Sequence, residues 1–323
     1  MCGVADYTER LAAALEKVGA TVHLELLDRW SFSDIGALRR RYAHDPRTVF
    51  HMQYPSLHLG RSVAPGFLPL LLPRSFVTLH EFGLFNIIRK LIFALPALFS
   101  RRIIFSNEAE KSVFLRHFPF ARRLSVLPIG NNIPNLLRGS VPRRHERVVY
   151  FGQISRNKGI EFFIETISRL RASSVALEAE MIGALVETDA GFVDMVTRSA
   201  ADLGIRLRLN MPPGDVSVAL SEATFALLPF PDGVSNKRGS ALACLDHGLS
   251  VLTTHTGLTP DWLRATTRGI STPEDAAARL AAMISGEGDR NPAPDVLARE
   301  MHARDWREIA RAHMALYEGA LRR

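Results

Sequence analysis

The sequence predicts an α/β fold of two doubly wound, Rossmann-like domains facing each other across a cleft, and three observations predict it. Short apolar runs alternate with amphipathic helical stretches in both halves of the chain, as in parallel sheets covered by helices. Most of these runs end in polar or glycine-bearing turns, and ligands of such sheets sit beyond the carboxyl ends of the strands. The length, 323 residues, suits two domains with cores of ordinary size.

Composition narrows the function. A hydrophobic content of 47% with 23% charged residues belongs to a folded chain. The net charge of +7 is uneven: residues 1–144 hold 20 Lys+Arg against 10 Asp+Glu, and the remainder 20 against 23. A basic first half faces an anionic partner. Its basic clusters are not interleaved with aromatics, which argues against nucleic acid and leaves a membrane surface or an anionic acceptor. Cys2 and Cys244 are far apart with no Cys or His companions, which predicts a reducing compartment and no zinc. Asp6 and Glu9 fall where a signal peptide would need its apolar core, so a cytoplasmic location is expected.

In chain order, residues 6–18 form an amphipathic helix with Leu11, Leu15 and Val18 inward, Asp6 or Thr8 as cap and Gly19 as stop. A strand is expected over 21–27, a helix over 33–43 capped by Ser33 or Asp34, and a strand over 48–53. Further strands over 76–79, 103–105 and 125–127 end in His80-Glu81, Ser106-Asn107 and Pro128 with Gly130. Such a domain normally opens with a strand and a glycine-rich loop, yet Gly3 leads straight into the helix, so either the true start lies upstream of Met1, the favoured reading because an empty central slot would leave backbone groups unpaired, or the sheet lacks a strand near its centre. Residues 82–99 are the most apolar stretch, but Arg89-Lys90 interrupts it and Pro96 bends it, so it does not span a bilayer. Two readings remain for it: a buried helix, or a segment lying on a membrane with Arg101-Arg102, and Arg39-Arg40-Arg41 nearby, among anionic head groups.

Residues 131–147, rich in Pro, Gly, Asn and Arg, read as the linker and hinge. The expected domains are 1–140 and 141–303, with 304–323 as a terminal helix. In the second domain strands are expected over 148–151, 175–182, 205–209, 224–229 and 250–254. Helices are expected over 159–172, 192–202, 215–222, 240–247 and 273–285, with the terminal helix over 305–321.

The stretch 224–257 carries the chemistry. An apolar strand gives way to a loop punctuated by Pro231, Asp232-Gly233 and Ser235, and Lys237-Arg238-Gly239-Ser240 follows where a helix begins. Backbone N–H groups, a helix dipole and two cations on one spot suit a phosphate ester. Gly152-Gln153-Ile154-Ser155-Arg156-Asn157-Lys158-Gly159 is a second basic strand-to-helix loop, and two such clamps suit a diphosphate. His80 closes its strand before Glu81 and is read either as a structural residue or as a cleft catalyst. His51, inside a strand, is read as structural, and Gln53-Tyr54-Pro55 as a ligand-contact loop. No GxSxG, HExxH, GxxxxGK[ST], GxGxxG or Asp-x-Asp occurs. Charge on a leaving diphosphate would then be met by Lys158, Lys237, Arg238 and helix N-termini without a metal.

Over nearly its whole length the chain resembles the GT-B glycosyltransferases, specifically the large retaining family 4. The stretches that carry the resemblance are GVADYTERLAAALEKVGATV at 3–22, HMQYP at 51–55, VTLHEF at 77–82, LPIGNNIP at 127–134, VVYFGQISRNKGIEFFIETI at 148–167, LLPFPDGVSNKRGSALACLDHGLSVLTT at 227–254 and WREIARAHMALYEGAL at 306–321. The resemblance implies transfer of a sugar from a nucleotide diphosphate held by the second domain to a saccharide or lipid-linked acceptor held by the first, with no cofactor. It implies front-face attack with retention, and a last helix that crosses back to the first domain. It gives His80 contact with the donor sugar, Lys158 contact with the diphosphate, and the Gly3 loop a place against the phosphates. Gln153 stands where an arginine is usual, with Arg156 as substitute. On the acceptor side it implies Asp6, Tyr7, Gln53, Tyr54 and Glu81.

One departure stands out. The family's two glutamates, seven residues apart, fall in register on Ser235 and Ala243. The chain instead resembles a bacterial surface-polysaccharide branch with a Gly-x-Ser-x-[Lys/Arg]-Arg-Gly-[Ser/Thr] signature, in which Asp232, Ser235, Lys237 and Arg238 would replace the glutamates and Gly152, Gly239 and Ser240 would contact the donor. The resemblance also implies a place on the inner face of the cytoplasmic membrane, peripheral to an anionic surface. A silent sugar-nucleotide-binding relative and a nucleotide-sugar epimerase are the competing readings.

Overall fold

A computed structural model describes residues 3–27, 30–55, 62–133, 135–137, 146–287 and 293–322. The chain divides into two compact units, one of 1–130 with 303–323 and one of 131–302. Cys2 and the stretch 138–145 of the expected linker lie outside the described residues.

The first unit contains α1 (Gly3–Lys17), α2 (Phe32–Tyr42), β1 (Phe50–Tyr54), α3 (Leu68–Leu71), β2 (Ser75–Leu79), α4 (Ile87–Leu91), α5 (Ala94–Phe99), β3 (Arg102–Phe105), α6 (Glu108–His117) and β4 (Leu124–Val126). Its four strands pair in parallel in the order β1-β2-β3-β4. β2 (SFVTL) is buried along its whole length, Ser75 and Thr78 included, as in a strand covered on both faces.

The second unit contains β5 (Arg147–Phe151), α7 (Ile160–Ala172), β6 (Glu178–Gly183), α8 (Ala190–Leu203), β7 (Ile205–Leu209), α9 (Pro213–Glu222), β8 (Phe225–Leu228), α10 (Gly239–Asp246), β9 (Ser250–Thr254), α11 (Asp261–Thr266), β10 (Arg268–Ile270), α12 (Pro273–Ile284) and α13 (Pro294–Ala303). The sheet is six-stranded and parallel, β10-β9-β8-β5-β6-β7. The winding starts at β5, runs outward through β6 and β7, then returns to β8 at the other side of β5. Its switch point therefore lies between β5 and β8, where doubly wound sheets hold their ligands. A single large apolar core, from Val148 and Phe163 to Leu252 and Leu280, fills this unit.

The last helix, α14 (Trp306–Leu321), belongs to the first unit. Ile309 and Ala310 pack against Tyr7, Leu11 and Leu15 of α1. Gly130 lies so close to the Trp306 ring that a Cβ would meet it at 2.5 Å.

Several expectations are corrected. Residues 21–27 form no strand: none is buried, and the segment is tied to α2 by side chains, with Tyr42 donating to Glu25 and the His23 ring stacked on Tyr42. Asp6 and Thr8 do not cap α1, which is already helical at Gly3. Asp6 pairs with Arg10 at 3.0 Å, and Thr8 donates to the Val4 carbonyl. The cap of α2 is Ser31, in a reciprocal box with Asp34. The apolar stretch 82–99 is not one helix but a 3₁₀ turn (Phe82–Leu84), α4 and α5. The unit boundary falls after Gly130 rather than at residue 140, because Asn131 donates to the Asp246 carboxylate and Asn135 to the Asp246 carbonyl, each at 2.8 Å. These bonds fasten the start of the expected linker to the end of α10.

Candidate functional site

In the first unit the strand period of two sets the chemistry. Residues 51 and 53 of β1 and 76 and 78 of β2 share one face, and His80 continues it past the end of β2. His80 is 6% exposed, with its ring edge-on to Tyr7 at 4.8 Å and its Nε2 3.0 Å from Gln53 Oε1. The other end of the Gln53 amide, Nε2, lies 3.3 Å from His51 Nε2, which is also 2.8 Å from Thr78 Oγ1. His51 Nδ1 is 2.5 Å from the Tyr317 hydroxyl of α14.

With the Gln53 carbonyl facing His80, His80 Nε2–H donates to it, and the His51 ring bridges the Thr78 and Tyr317 hydroxyls, donating to one and accepting from the other, with the Gln53 amide at the longer distance of 3.3 Å. Burial, with His313 and His80 nearby, holds His51 well below the usual imidazole range and keeps it neutral. Burial likewise pushes the Tyr7 and Tyr317 hydroxyls up and holds His313 down to about 4.

Sequence reasoning expected contact residues here, and the structure sorts them. Gln53 joins His80, and Glu81 is exposed just beyond it. Tyr54 is a core residue, 1% exposed between Phe85 and Phe93, with its hydroxyl pushed up to about 12 by burial. Tyr7 is buried between His80 and Trp306. Asp6 is turned to Arg10, and Gly3 is the exposed first residue of α1. His51, expected to be structural, is the central link of the network.

In the second unit two glycines allow backbone to meet backbone around the switch point. Gly183 closes β6 at φ 159°, where a Cβ would stand 1.7 Å from the Gly152 carbonyl oxygen. Gly159, at φ 77°, starts α7, where a Cβ would stand 2.0 Å from the Pro229 carbonyl oxygen. The loop after β5 is thereby pressed on the end of β6 and on the loop after β8. Gly152 itself faces Ser240, in the first turn of α10. The buried Tyr150 hydroxyl reaches the Gln153 and Lys158 carbonyls at 2.9 and 3.2 Å and fixes the loop.

The loop after β8 is anchored too. Val234 N–H donates to the Thr254 carbonyl, Thr259 Oγ1 to the Val234 carbonyl, and Trp262 Nε1 to Asn236 Oδ1. Neither α7 nor α10 carries a side-chain cap, so no side chain meets the positive ends of their dipoles, although in α10 the Gly239 N–H is donated to the Lys237 carbonyl at 3.1 Å.

The two loops expected to clamp a diphosphate therefore converge, but their cations divide. Lys158 is half-buried and makes no ion pair among the described residues, and Lys237 is exposed beside Ser235, whose Oγ accepts from the Lys237 N–H. Arg238 is bound to Asp232 and stacked over Phe230 at 4.7 Å, so these two expected ligands partner each other. Arg156 is turned away to Asp189, the cap of α8, at 2.7 Å and lies over Phe192. Gln153, where an arginine is usual in the resembled family, is exposed. Ser235 and Ser240 are half-buried, Gly239 is exposed, and Ala243 is fully buried. Sequence reasoning missed Gly183, Tyr150 and the Asn236–Trp262 bond. Gly183 had a signal, since it ends β6 as Gly152 follows β5.

No known protein family matches the sequence, and no curated protein does. Solved structures do match. A glycosyltransferase from Rickettsia africae superposes with a TM-score of 0.68 at 14% identity over 99% of this chain and 95% of that one. HepE from Anabaena, in complex with UDP and glucose, gives 0.64 at 12% identity over 98% and 96%. Sucrose-phosphate synthase from Thermosynechococcus elongatus gives 0.59 at 15% identity over 98% and 93%. At such identities the likeness speaks for the fold alone: two parallel-sheet Rossmann-like domains, as in GT-B glycosyltransferases.

Proposed function

We propose that this chain is a glycosyltransferase that moves a sugar from a nucleotide-diphosphate donor to a saccharide or lipid-linked acceptor, with retention of configuration and without a metal. The observation that carries the reading is the convergence of the two loops at the switch point of the second sheet, where Gly152, Gly159 and Gly183 bring uncapped α7 and α10 together with Lys158 and Lys237. As the bond from sugar to phosphate lengthens, negative charge builds on the departing diphosphate. Fixed N–H dipoles and two ammonium groups meet it without reorganising. HepE holds UDP and glucose on the same fold, which supports a nucleotide sugar as the donor. His80, its Nε2 proton held by Gln53, would touch the sugar near the reacting carbon. The remaining elements of the reading are the cytoplasmic face of a membrane and a part in bacterial surface-polysaccharide synthesis.

One observation favours a second reading, a binder that does not transfer: Ser235 and the buried Ala243 stand where the resembled family keeps glutamates. Thermal-shift titration with a panel of nucleoside diphosphates, followed by donor hydrolysis, separates the two. A ligand at about a hundred times its Kd adds roughly 2.7 kcal/mol of stability. Lys237→Ala is expected to weaken the diphosphate by about 1.5–3 kcal/mol, as for loss of a charged hydrogen bond. Stabilisation without turnover of any donor selects the binder, and no response to any diphosphate rejects both.

A further inference from the structure

We propose that Asp232 is a displaceable counter-ion for Arg238, an internal carboxylate that a phosphate of the donor must replace before the guanidinium can hold it. The inference rests on the nucleotide-diphosphate reading above and adds to it a residue that opposes binding.

Arg238 stands where the two loops of the second unit meet. It directly precedes the first turn of α10, where Ser240 faces Gly152. Burial pushes the Tyr150 hydroxyl up, and the Arg238 charge acts on it in the opposite sense, so the guanidinium lies close to the hydroxyl that fixes the 153–158 loop. Its carbon lies over the Phe230 ring at 4.7 Å, and the side chain is only 22% exposed. A cation this enclosed has given up much of its water and is held by the groups it touches.

Asp232 is placed differently. Its carboxylate accepts from Arg238 Nη2 and is, among the described residues, the one ion-pair partner of that guanidinium, yet its side chain is 74% exposed. The backbone beside it is fastened by other bonds. Gly233 N–H donates to the Phe230 carbonyl, Val234 N–H to the Thr254 carbonyl, and Trp262 to Asn236. Gly233, at φ 83°, closes on Thr256, where a Cβ would stand 2.6 Å from the methyl group. The carboxylate can therefore swing into solvent while the loop keeps its course.

A guanidinium offers five N–H donors in a fork that fits carboxylate and phosphate alike, and one bond to Asp232 engages a small part of it. A phosphate that reaches Arg238 also sets negative charge beside the carboxylate, and like charges drive the two apart. A doubly charged group wins this exchange and a neutral one does not, so the pair selects for an anion. The family resemblance gives Asp232 the opposite role, a ligand of the donor, and removing its charge separates the two.

The test is isothermal titration calorimetry of the full chain with UDP, GDP, ADP and inorganic pyrophosphate. Asp232→Asn should bind about fivefold more tightly whichever probe the wild type binds, the gain expected when an exposed ion pair no longer competes. Asp194→Asn, which removes a surface charge of α8 that pairs with Arg198, should leave binding unchanged. Arg238→Gln should weaken binding by about tenfold or more, and adding Asp232→Asn to it should bring no further gain, because the two residues act as one pair. A gain from Asp232→Asn that Asp194→Asn matches, or that persists beside Arg238→Gln, is a general effect of charge and overturns the proposal. So does binding that Asp232→Asn leaves unchanged or weakens; the wild-type titration then still upholds the nucleotide reading. No response to any probe from the wild type or from Asp232→Asn overturns both. A response from Asp232→Asn alone supports both, with the counter-ion strong enough to hide the site.

Discussion

Where β1 and β2 end, half-buried and buried polar side chains are bonded to one another, from Tyr317 through His51 and Gln53 to His80. Where β5, β6 and β8 end, glycines let backbone meet backbone, and Lys237 stands in solvent. The first arrangement is a chain of side-chain hydrogen bonds, and the second is a close meeting of backbone and helix starts. Two sheets of the same class thus end in opposite chemistry. The difference comes from what occupies the last strand positions: hydrogen-bonding rings in one, residues without a side chain in the other.

Removing that difference at its sharpest point should have the largest effect. Gly183→Ala puts a methyl where the Gly152 carbonyl oxygen lies 1.7 Å away. The second unit is expected to lose about 3–4 kcal/mol, as overpacking and backbone strain add. Urea unfolding would read the loss, and the diphosphate response should disappear with it.

Acid should weaken the other side of the comparison. Burial holds His313 down to about 4 and His51 well below its usual range, whereas an unfolded imidazole titrates near 6.5. Between those values the unfolded chain takes up protons that the folded unit refuses. Stability should therefore be full above about pH 6.5 and fall as the pH drops towards 4, by about 3 kcal/mol from His313 alone. The second unit contributes a weaker effect of the same sign through half-buried His255. Melting curves across this window, with His313→Leu flattening the slope, check it. A slope unchanged by His313→Leu would reassign the effect.

The smallest effect should come from Gln53→Met, which keeps the bulk but cuts the link between His51 and His80. It is expected to cost about 1 kcal/mol of stability. If His80 acts on the sugar, turnover should fall more than donor affinity, and the pH profile of turnover should shift because the His80 tautomer is no longer held. Equal loss in both quantities would make Gln53 merely structural.

The legible parts of this molecule were those written locally. The paired loops at 152–159 and 230–240 could be read from residue order, because turn residues and a helix start leave their mark within a few positions. So could the polar end of β2 at His80. What stayed hidden was set by residues distant in sequence. Nothing local shows that Arg156 pairs with Asp189, or that Phe85 and Phe93 enclose Tyr54. Residues 21–27 have strand-like composition but find no ladder, and the Tyr42–Glu25 bond holds them instead.

The return of α14 to α1 also bears on synthesis. Residues 131–302 form a continuous unit that is complete once they have left the ribosome, and domains generally fold as units during synthesis. The earlier-made unit cannot close its α1 side until Ile309 and Ala310 arrive, nor fill its histidine network until Tyr317 does. The half of the protein translated first is therefore the half matured last, and its open flank, with Tyr7 and Leu11 uncovered, is the stretch a chaperone would have to shield in the interval.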